Sequence, residues 1–515
     1  MGAGEVEALV LSRREFLRLS GQAGLGAFAL AAGGAALLPV PSRAAERPGS
    51  GGIREVYLEA REITWDLAPG KRIKAMAYNG QIPGPEVRLK EGERVRIVLK
   101  NSLPEPTTIH WHGVDVPNPM DGVPGVTQKP VQPGEAFVYE FEARPSGTRW
   151  YHTHFQEHRQ LDVGLYAPLI IEPAQPDPFP FDREYTLVLD DWVTGTGSAL
   201  ARTQEGTAGG RGGMGGLMGG MMGGGMGRMM EGMMGRGGMG SMMGGGQHPA
   251  YDTMTINGKA YPATEPLTVQ NGERVRLRLI NASADHNHVI RLAGHRLKVT
   301  HTDGNPLVQP VEVDAVPIAP SERYDVQFVA NWPGAWFLHC AEAGHAGAGE
   351  RVLLVYEGHE ADKPEAPAEG VAGLGLWQYA LGRGRDVLPP PSGQDRTYDL
   401  TLSGGMMGSD IWTINDKRYP NTDPLRLRKG DRARVRFRNM SMEAHPMHLH
   451  GQSFRVLAVN GQRLAEPIVR DSVDVEAHMG SVVIEFTAHN PGDWFLHCHK
   501  PMHMDGGMVT LAKIG

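Results

Sequence analysis

The stretch that decides the fold lies near the end of the chain and reads His497-Cys498-His499-Lys500-Pro501-Met502-His503-Met504-Asp505-Gly506-Gly507-Met508. Its thiolate, the imidazole of His503 and the thioether of Met508 are the donors of a blue-copper site with a weak axial methionine. Successive side chains of a strand point to opposite faces. We therefore expect Cys498 to face one metal site while its two histidine neighbours face a second, so that electrons cross between the sites through one tripeptide.

One unit occurs three times along the chain. Each copy has an Asn, a Gly-acidic turn, a strand in which arginine alternates with apolar residues, and a closing Asn. The strand segments run Gly92–Asn101, Gly272–Asn281 and Gly430–Asn439, and the leading residues are Asn79, Asn257 and Asn415. The copies end in Trp150-Tyr151-His152-Thr153-His154, Trp336-Phe337-Leu338-His339-Cys340-Ala341 and Trp494-Phe495-Leu496-His497-Cys498-His499. Short alternating strands bounded by Gly and Pro predict antiparallel β-sandwiches.

The repeats divide the chain into three predicted domains, at residues 53–173, 180–360 and 395–515, and the Pro-rich residues 361–394 are predicted to be a linker. Residues 206–248 interrupt the second unit and consist almost entirely of Gly and Met. Such a segment cannot form a core, because glycine raises the cost of ordering. We expect a mobile insert whose soft thioethers collect Cu(I) for the blue-copper site; a flexible spacer or an oxidant sink is the alternative.

Residues 1–45 have the features of an export signal. Ser12-Arg13-Arg14-Glu15-Phe16-Leu17 resembles the twin-arginine motif, and a Gly/Ala-rich apolar run leads to small residues at Ala44 and Ala45. These features favour a cleaved signal over a membrane anchor. Because the twin-arginine machinery exports folded proteins, we predict a location in the periplasm or on the outer face of the cell envelope. The net charge of −7 and the lack of a basic block argue against a nucleic-acid partner.

Four His-X-His pairs lie in the first and third units. They are His110/His112, His152/His154, His448/His450 and His497/His499. Both histidines of a pair share one face of a strand, so eight imidazoles from two domains are predicted to line one interface. Zinc is the main alternative for imidazole ligands, and it is disfavoured because a zinc site gains nothing from a distant methionine.

With these motifs in order along the mature chain, the sequence resembles the three-domain multicopper oxidases. The resemblance implies an all-β fold of three consecutive cupredoxin-like Greek-key β-sandwich domains, and four copper ions per chain. Within that family the sequence is most similar to the periplasmic copper-resistance (cuprous) oxidases. The segments that carry this closer likeness are Met120–Val126, Trp150–Glu157 and Pro168–Pro173.

The resemblance also assigns the copper ligands. It gives His445, Cys498, His503 and axial Met508 to the type 1 copper, His110 and His448 to the type 2 copper, and His112, His152, His154, His450, His497 and His499 to the type 3 pair. Types 2 and 3 form a trinuclear cluster between the first and third domains. There, four electrons and four protons reduce O2 to water.

Proton delivery to O2 calls for acidic residues near the histidines. Asp121 stands where family members carry an acid that orients water at the type 2 copper; a turn aspartate before Gly122 is the alternative. Many relatives carry a Glu six residues after the cysteine, where this chain has Met504. Asp505, the next residue, is the candidate for that second proton donor.

The second unit keeps a partial copy of the type 1 motif. His288, Cys340 and His345 align with the three strong type 1 ligands, and Glu350 falls at the axial position. We expect an empty remnant with a buried cysteine. With Cys498 serving as a ligand, the only other cysteine is Cys340, so no disulfide framework remains.

Together these features predict an exported, monomeric multicopper oxidase that couples one-electron oxidation of Cu(I), and of small phenols, to reduction of O2. A laccase acting mainly on phenols or aromatic amines is the alternative within the same class. A copper-sequestering protein with little turnover is the alternative from another class. A copper nitrite reductase is disfavoured, because it needs neither three repeats nor four histidine pairs.

Overall fold

The computed structural model describes residues 45–48, 53–194, 249–370, 383–384 and 388–515. The Met/Gly-rich insert, almost all of the predicted signal and part of the predicted linker lie outside these residues. The described residues form three units, each built from two β-sheets, which confirms the all-β prediction. None of the described helices combines the length and apolar character needed to cross a bilayer.

The first domain pairs a five-stranded sheet with a four-stranded one. Its described strands are β1 (Ala45–Pro48), β2 (Arg54–Ala68), β3 (Lys71–Tyr78), β4 (Val87–Lys90), β5 (Arg94–Asn101), β6 (His110–His112), β7 (Ala136–Glu142), β8 (Gly147–His152) and β9 (Tyr166–Glu172). One sheet has the order β1-β2-β5-β7 with β3 paired to β2, and the other has the order β4-β9-β8-β6. A short helix α1 (Glu157–Gln160) and a 3-10 turn (Asn118–Met120) lie in its loops.

The second domain pairs a seven-stranded sheet with a five-stranded one. Its described strands are β10 (Arg183–Trp192), β11 (Thr253–Ile256), β12 (Leu267–Val269), β13 (Arg274–Asn281), β14 (His288–Leu292), β15 (Leu297–Thr302), β16 (Asn305–Val313), β17 (Val316–Ile318), β18 (Arg323–Val329), β19 (Ala335–Cys340), β20 (Arg351–Tyr356) and β21 (Arg383–Gly384). The sheet orders are β11-β10-β13-β18-β15-β16-β21 and β12-β20-β19-β14-β17.

The third domain pairs a six-stranded sheet with a five-stranded one. Its described strands are β22 (Asp395–Gly404), β23 (Trp412–Ile414), β24 (Leu425–Leu427), β25 (Arg432–Asn439), β26 (His445–Leu449), β27 (Phe454–Val459), β28 (Gln462–Arg470), β29 (Ser472–Val475), β30 (Ser481–Thr487), β31 (Gly492–Cys498) and β32 (Val509–Ile514). The sheet orders are β23-β22-β25-β30-β27-β28 and β24-β32-β31-β26-β29. Helix α2 (Pro501–Asp505) follows β31, and a 3-10 turn spans Met406–Gly408.

Each domain departs from the predicted antiparallel arrangement in two places. In the first domain β2 runs parallel to β5, and β4 runs parallel to β9. The pairs β10/β13 and β12/β20, and the pairs β22/β25 and β24/β32, repeat this pattern in the other two domains. Between the two partners the chain visits the opposite sheet, and such crossovers bring strands together in the same direction. The sandwiches are therefore mixed.

The repeated asparagines have one structural role in all three domains. Asn79, Asn257 and Asn415 have φ angles of 53°, 53° and 51°, a left-handed conformation that asparagine tolerates better than most residues. The three Oδ1 atoms accept backbone N–H groups of β2, β10 and β22, at 2.7, 2.8 and 2.7 Å respectively. The closing asparagines 101, 281 and 439 are buried, and each side-chain amide donates to at least two backbone carbonyls. The sequence repeat is therefore a repeat of turns and strand anchors.

The alternation of arginine with apolar residues has different outcomes in different domains. In β25 the apolar residues are buried and the arginines at 434, 436 and 438 are exposed, as predicted. In β13 the prediction of an exposed face is wrong, because Arg276 and Arg278 are buried. This face of the second domain lies against the first domain. Arg278 donates to Thr148 Oγ1 of the first domain at 2.9 Å and to Asp325 Oδ2 of its own domain at 2.9 Å.

Candidate metal centres

The predicted type 1 ligands meet inside the third domain. His445 opens β26, Cys498 closes the neighbouring strand β31, and His503 lies in α2. The Cys498 Sγ atom lies 3.4 Å from His503 Nδ1 and 3.7 Å from His445 Nδ1. All three side chains are fully buried, and so is Met508, whose carbonyl accepts the Cys498 N–H at 3.1 Å. We call His445, Cys498 and His503 the cysteine cluster.

Hydrogen bonds from outside orient both imidazoles of the cysteine cluster. The Nε2 atom of His445 lies 2.8 Å from Ser441 Oγ, and the Nε2 atom of His503 lies 3.1 Å from Glu443 Oε2. With Nε2 engaged, the Nδ1 lone pair of each ring is available on the side of the thiol. The Trp412 ring packs on His503 with centroids 3.8 Å apart and holds it from the other side.

The four His-X-His pairs form a second buried group between the first and third domains, which we call the histidine cluster. Its possible ligand atoms fall into three sets, namely His110/His112/His448, His112/His152/His499 and His154/His450/His497. The first set joins β6 of the first domain to β26 of the third. The second set joins β6 and β8 of the first domain to His499, the residue after β31. The Nε2 atoms of His110 and His448 lie 3.4 Å apart, as do those of His152 and His499. Neither domain alone holds this group.

The tripeptide 497–499 has the predicted alternation. Cys498 belongs to the cysteine cluster, whereas both neighbouring histidines belong to the histidine cluster. His497 Nε2 lies 3.0 Å from His450 Nε2, and His499 Nε2 lies 3.4 Å from His152 Nε2. A covalent path of three residues therefore joins the two clusters.

The chemistry of both clusters fits copper. Burial, followed by neighbouring imidazoles, lowers the pKa of His112, His448 and His450 well below the ordinary value of 6.5, and burial lowers that of His497 to about 3. Neutral imidazole is the form that binds a metal ion. The buried Nδ1 of His112 has no hydrogen-bond partner among the described residues, which leaves a lone pair directed into the cluster. Soft thiolate and thioether donors beside imidazoles suit a copper ion that changes oxidation state.

Asp121 links imidazoles that belong to different domains. It is fully buried, its carbonyl accepts from His110 Nδ1 at 2.9 Å, and its Oδ2 accepts from His450 Nδ1 at 2.9 Å. Its other carboxylate oxygen, Oδ1, lies 3.2 Å from His110 Nδ1. Asp121 therefore lies against the histidine cluster, where the sequence predicted an acidic residue.

Asp505 lies apart from the histidine cluster. Its half-exposed carboxylate pairs with His158 at the surface, between α1 and α2. A different carboxyl group, which the sequence did not single out, lies at the cluster: Glu157 is buried with Oε1 3.4 Å from His154 Nε2. Burial raises the pKa of Glu157 well above its ordinary value of 4.5, which favours the protonated form. The only sequence signal for Glu157 is its position three residues after His154.

A second residue that sequence reasoning missed is Asp471, which precedes β29. Its Oδ1 lies 3.1 Å from His112 Nε2 and its backbone carbonyl lies 2.7 Å from His448 Nδ1. Arg323 of the second domain donates to both carboxylate oxygens, at 2.6 and 2.5 Å. All three domains therefore meet at this one carboxylate. No local motif marks Asp471, because His112 and Arg323, which contact its carboxylate, are more than a hundred residues away.

The aligned residues of the second domain also come together. The possible ligand atoms of His288, Cys340, His345 and Glu350 all lie within 4.8 Å of one another.

Comparisons with known proteins agree with this geometry. Family models described as multicopper oxidase match residues 59–176, 183–359 and 393–514. The multicopper oxidase MmcO of Mycobacterium tuberculosis is 34% identical, covering 97% of this chain and 96% of that protein. Copper resistance protein A of Pseudomonas syringae pv. tomato is 28% identical, covering 86% and 90%. The crystal structure of a multi-copper oxidase from Pseudomonas thermotolerans superposes with a TM-score of 0.66 at 26% identity, covering 90% and 99%.

The three matched segments cover most of the chain, and the two buried clusters supply the histidine and cysteine donors that a copper enzyme of this kind needs. The chain therefore belongs to the multicopper oxidase family, whose members use copper, typically four ions, to couple the oxidation of a substrate to the reduction of O2.

Proposed function

We propose that this oxidase is exported by the twin-arginine route and oxidises Cu(I) in the periplasm or on the outer face of the cell envelope. His445, Cys498, His503 and Met508 would hold the type 1 copper, and the histidine cluster would hold the type 2 and type 3 coppers. When bound, copper supplies one-electron oxidation at the first site and O2 reduction at the second. The protein acts as a monomer.

The observation that carries the Cu(I) proposal is a pair of exposed thioethers at the rim of the cysteine cluster. Met440 and Met442 are 51% and 57% exposed. They flank Ser441, whose hydroxyl lies 2.8 Å from the type 1 ligand His445. Large apolar side chains usually find cover, whereas an exposed thioether is a good ligand for a soft ion such as Cu(I). A Cu(I) ion held here would lie close to its electron acceptor.

A carboxylate reaches the same rim. Glu443 lies 3.1 Å from His503 Nε2 and 3.9 Å from Lys500 Nζ, and its side chain is 17% exposed. Its carboxylate follows Met442 directly in the sequence, and a negative charge there favours a cation over a neutral phenol. Met447 and Met504, which also lie close to type 1 ligands in the sequence, are buried and pack in the protein interior.

The relatives support the same substrate. One of them is named copper resistance protein A, and its identity of 28% extends over most of both chains. The Met/Gly-rich insert, which lies outside the described residues, adds a second supply of soft donors. A laccase role toward phenols is the second candidate, because membership in the multicopper oxidase family does not by itself select the reductant. A protein that only sequesters copper is disfavoured by membership in an oxidase family.

Within the protein, the residues around the histidine cluster handle protons and geometry. The Asp121 carboxylate holds the His450 ring by its Nδ1–H, and its other oxygen lies 3.2 Å from His110 Nδ1. The Glu157 carboxyl, whose pKa is raised by burial, lies 3.4 Å from His154 and is the better placed of the two candidates for a second proton donor. Asp505 is held at the surface by His158.

A double replacement of Met440 and Met442 by leucine tests the substrate. Leucine keeps the apolar volume and removes only the sulfur, so kcat/KM for Cu(I) should fall by about tenfold, or about 1.4 kcal/mol. Turnover of a phenol by the same variant should stay at the wild-type level and serves as the control. Unchanged Cu(I) kinetics would overturn the proposed substrate site.

Deletion of residues 206–248 tests the insert separately. Oxidation of Cu(I) should slow at low Cu(I) concentration, while phenol turnover stays the same or rises. Equal Cu(I) kinetics with and without the insert would show that it collects no substrate.

Export and oligomeric state are tested with the full-length chain. Replacing Arg13 and Arg14 by lysine should retain the protein inside the cell, whereas the wild type should be found in the periplasmic fraction. Light scattering of the mature enzyme should give the mass of one chain. Periplasmic recovery of the lysine variant would contradict the twin-arginine route.

A further inference from the structure

The second domain contains a compact group of metal-binding side chains that no copper of the oxidase uses. We call His288, Cys340, His345 and Glu350 the domain 2 cluster. Three of the four side chains are fully buried, and 12% of the His345 side chain is exposed. The Cys340 Sγ atom lies 3.4 Å from His345 Nδ1. Four donors of three chemical kinds therefore converge on one point of a domain core.

The domain 2 cluster occupies the same place in its domain as the cysteine cluster does in the third. His288 opens β14 and Cys340 closes the neighbouring strand β19, just as His445 opens β26 and Cys498 closes β31. The distance from Cys340 Sγ to His345 Nδ1 equals the 3.4 Å between Cys498 Sγ and His503 Nδ1. The backbone that presents a trigonal donor set is thus preserved.

The hydrogen bond that fixes the first imidazole is preserved as well. Ser283 Oγ lies 2.7 Å from His288 Nε2, and Ser441 Oγ lies 2.8 Å from His445 Nε2. With Ser283 on Nε2, the ring of His288 directs its Nδ1 at the Glu350 carboxylate, 2.8 Å from Oε2. A metal ion bound here would replace the proton between these two groups.

Two differences change the ion that this site would take. The fourth donor is a carboxylate in place of a thioether: Glu350 Oε1 lies 2.7 Å from His288 Nδ1, and its Oε2 lies 3.3 Å from His345 Nδ1. The Glu350 carboxylate therefore lies among the other donors, unlike a distant axial ligand. In addition, the Val289 N–H points to Cys340 Sγ at 3.2 Å, at a position where the third domain has Pro446 and no N–H. That N–H stabilises a thiolate.

Both carboxylate oxygens of Glu350 lie close to one imidazole nitrogen. Oε1 is 2.7 Å and Oε2 is 2.8 Å from His288 Nδ1, and both side chains are fully buried. A buried carboxylate is costly unless positive charge compensates it, and a cation held among the four donors would supply that charge.

We propose that the second domain binds a fifth metal ion, Zn²⁺, through His288, Cys340, His345 and Glu350. One thiolate, two imidazoles and one carboxylate are four strong donors, which is the closed tetrahedral set of a structural zinc site. A blue copper would need the weak, long axial thioether that this site lacks. Zinc would therefore occupy a site that the sequence predicted to be empty, and the four copper sites would be unchanged.

The test uses the copper-loaded enzyme, in which the other sites are filled. After incubation with Zn²⁺ and desalting, elemental analysis of the wild type should give one zinc and four coppers per chain. Cys340→Ser and Glu350→Gln should each lose the zinc and keep four coppers and the blue absorption. The matched control is Cys498→Ser, the equivalent cysteine of the third domain, which should lose the type 1 copper and keep the zinc.

A second measurement is independent of whether the variants fold. Cobalt(II) added to the wild-type enzyme should give the thiolate charge-transfer absorption of a tetrahedral site, and Zn²⁺ should abolish it by competition. A wild type without zinc, zinc retained in full by Cys340→Ser, or a fifth copper that Cys340→Ser removes would each overturn the assignment to zinc.

Discussion

Replacing Asp471 with asparagine is predicted to loosen the histidine cluster and leave the cysteine cluster intact. The Asp471 carboxylate accepts from His112 Nε2 at 3.1 Å and from both terminal nitrogens of Arg323, at 2.6 and 2.5 Å. Asparagine has the same size but offers one acceptor oxygen and one NH2 group. Because His112 and Arg323 are both donors here, the NH2 group must face one of them.

The replacement should have two separate effects, one on the metal affinity of the histidine cluster and one on the stability of the fold. Removing a partner that orients a ligand histidine typically lowers metal affinity by about 10- to 100-fold, or roughly 1.4 to 2.7 kcal/mol. Removing one charge of a buried ion pair costs about 3–5 kcal/mol. Asparagine keeps one hydrogen bond, so we expect about 3 kcal/mol of lost stability.

Asp303→Asn separates these effects. Asp303 belongs to the same buried network: Arg470 Nε donates to its Oδ2 at 3.1 Å, and the backbone N–H of Arg323 donates to its Oδ1 at 2.9 Å. Within the described part of the chain, its side chain makes no hydrogen bond or ion pair with a ligand histidine. Both variants should therefore unfold at lower denaturant concentration, but only Asp471→Asn should lose copper from the histidine cluster.

The assay combines copper content after dialysis against a chelator, O2 consumption and the blue absorption. Asp471→Asn should keep the blue absorption, lose copper from the histidine cluster and consume O2 more slowly. Unfolding midpoints are compared between variants, because a three-domain protein need not unfold in one step. If Asp471→Asn keeps its full copper content and turnover while matching Asp303→Asn in stability, then the contact with His112 does not position the ligand.

Three further outcomes follow from the residues around the clusters. Asp121→Asn should lower O2 consumption by roughly 10- to 100-fold with the blue absorption unchanged, since His450 loses its carboxylate partner; wild-type rates would contradict this role. Glu157→Gln should slow O2 consumption more than Asp505→Asn does, and the reverse order would return the proton-donor role to Asp505. Hydrogen bonding to Asp505 raises the pKa of His158 above its ordinary value of 6.5, so the pair stabilises the fold fully below that value and loses the contribution as the pH rises through the raised pKa. The gap in unfolding midpoint between wild type and Asp505→Asn should accordingly shrink with rising pH, and a constant gap would contradict this linkage.

The sequence by itself determined the three β units, the turns that begin with Asn79, Asn257 and Asn415, and the ligand motifs. These features are local, because a turn depends on a few backbone angles and a strand places alternate side chains on opposite faces. For that reason the division of labour within the tripeptide around Cys498 follows from spacing alone. The sheet class was predicted in the same way, although the parallel pairs were missed because they depend on which sheet the chain enters next.

Only the tertiary structure decided which acidic residues serve the histidine cluster. Glu157 and Asp471 have no motif, and Asp505, which has a favourable position in the sequence, pairs with His158 at the surface. The same holds for Arg276 and Arg278, whose alternating pattern predicted an exposed face. Arg276 is covered by Asp177 and Phe179, in the segment after the first domain, and Arg278 contacts Thr148 of the first domain. Burial and charge pairing between domains depend on contacts between residues hundreds of positions apart. No short stretch of sequence contains that information, because the energy of a buried charge is set by its partners in space.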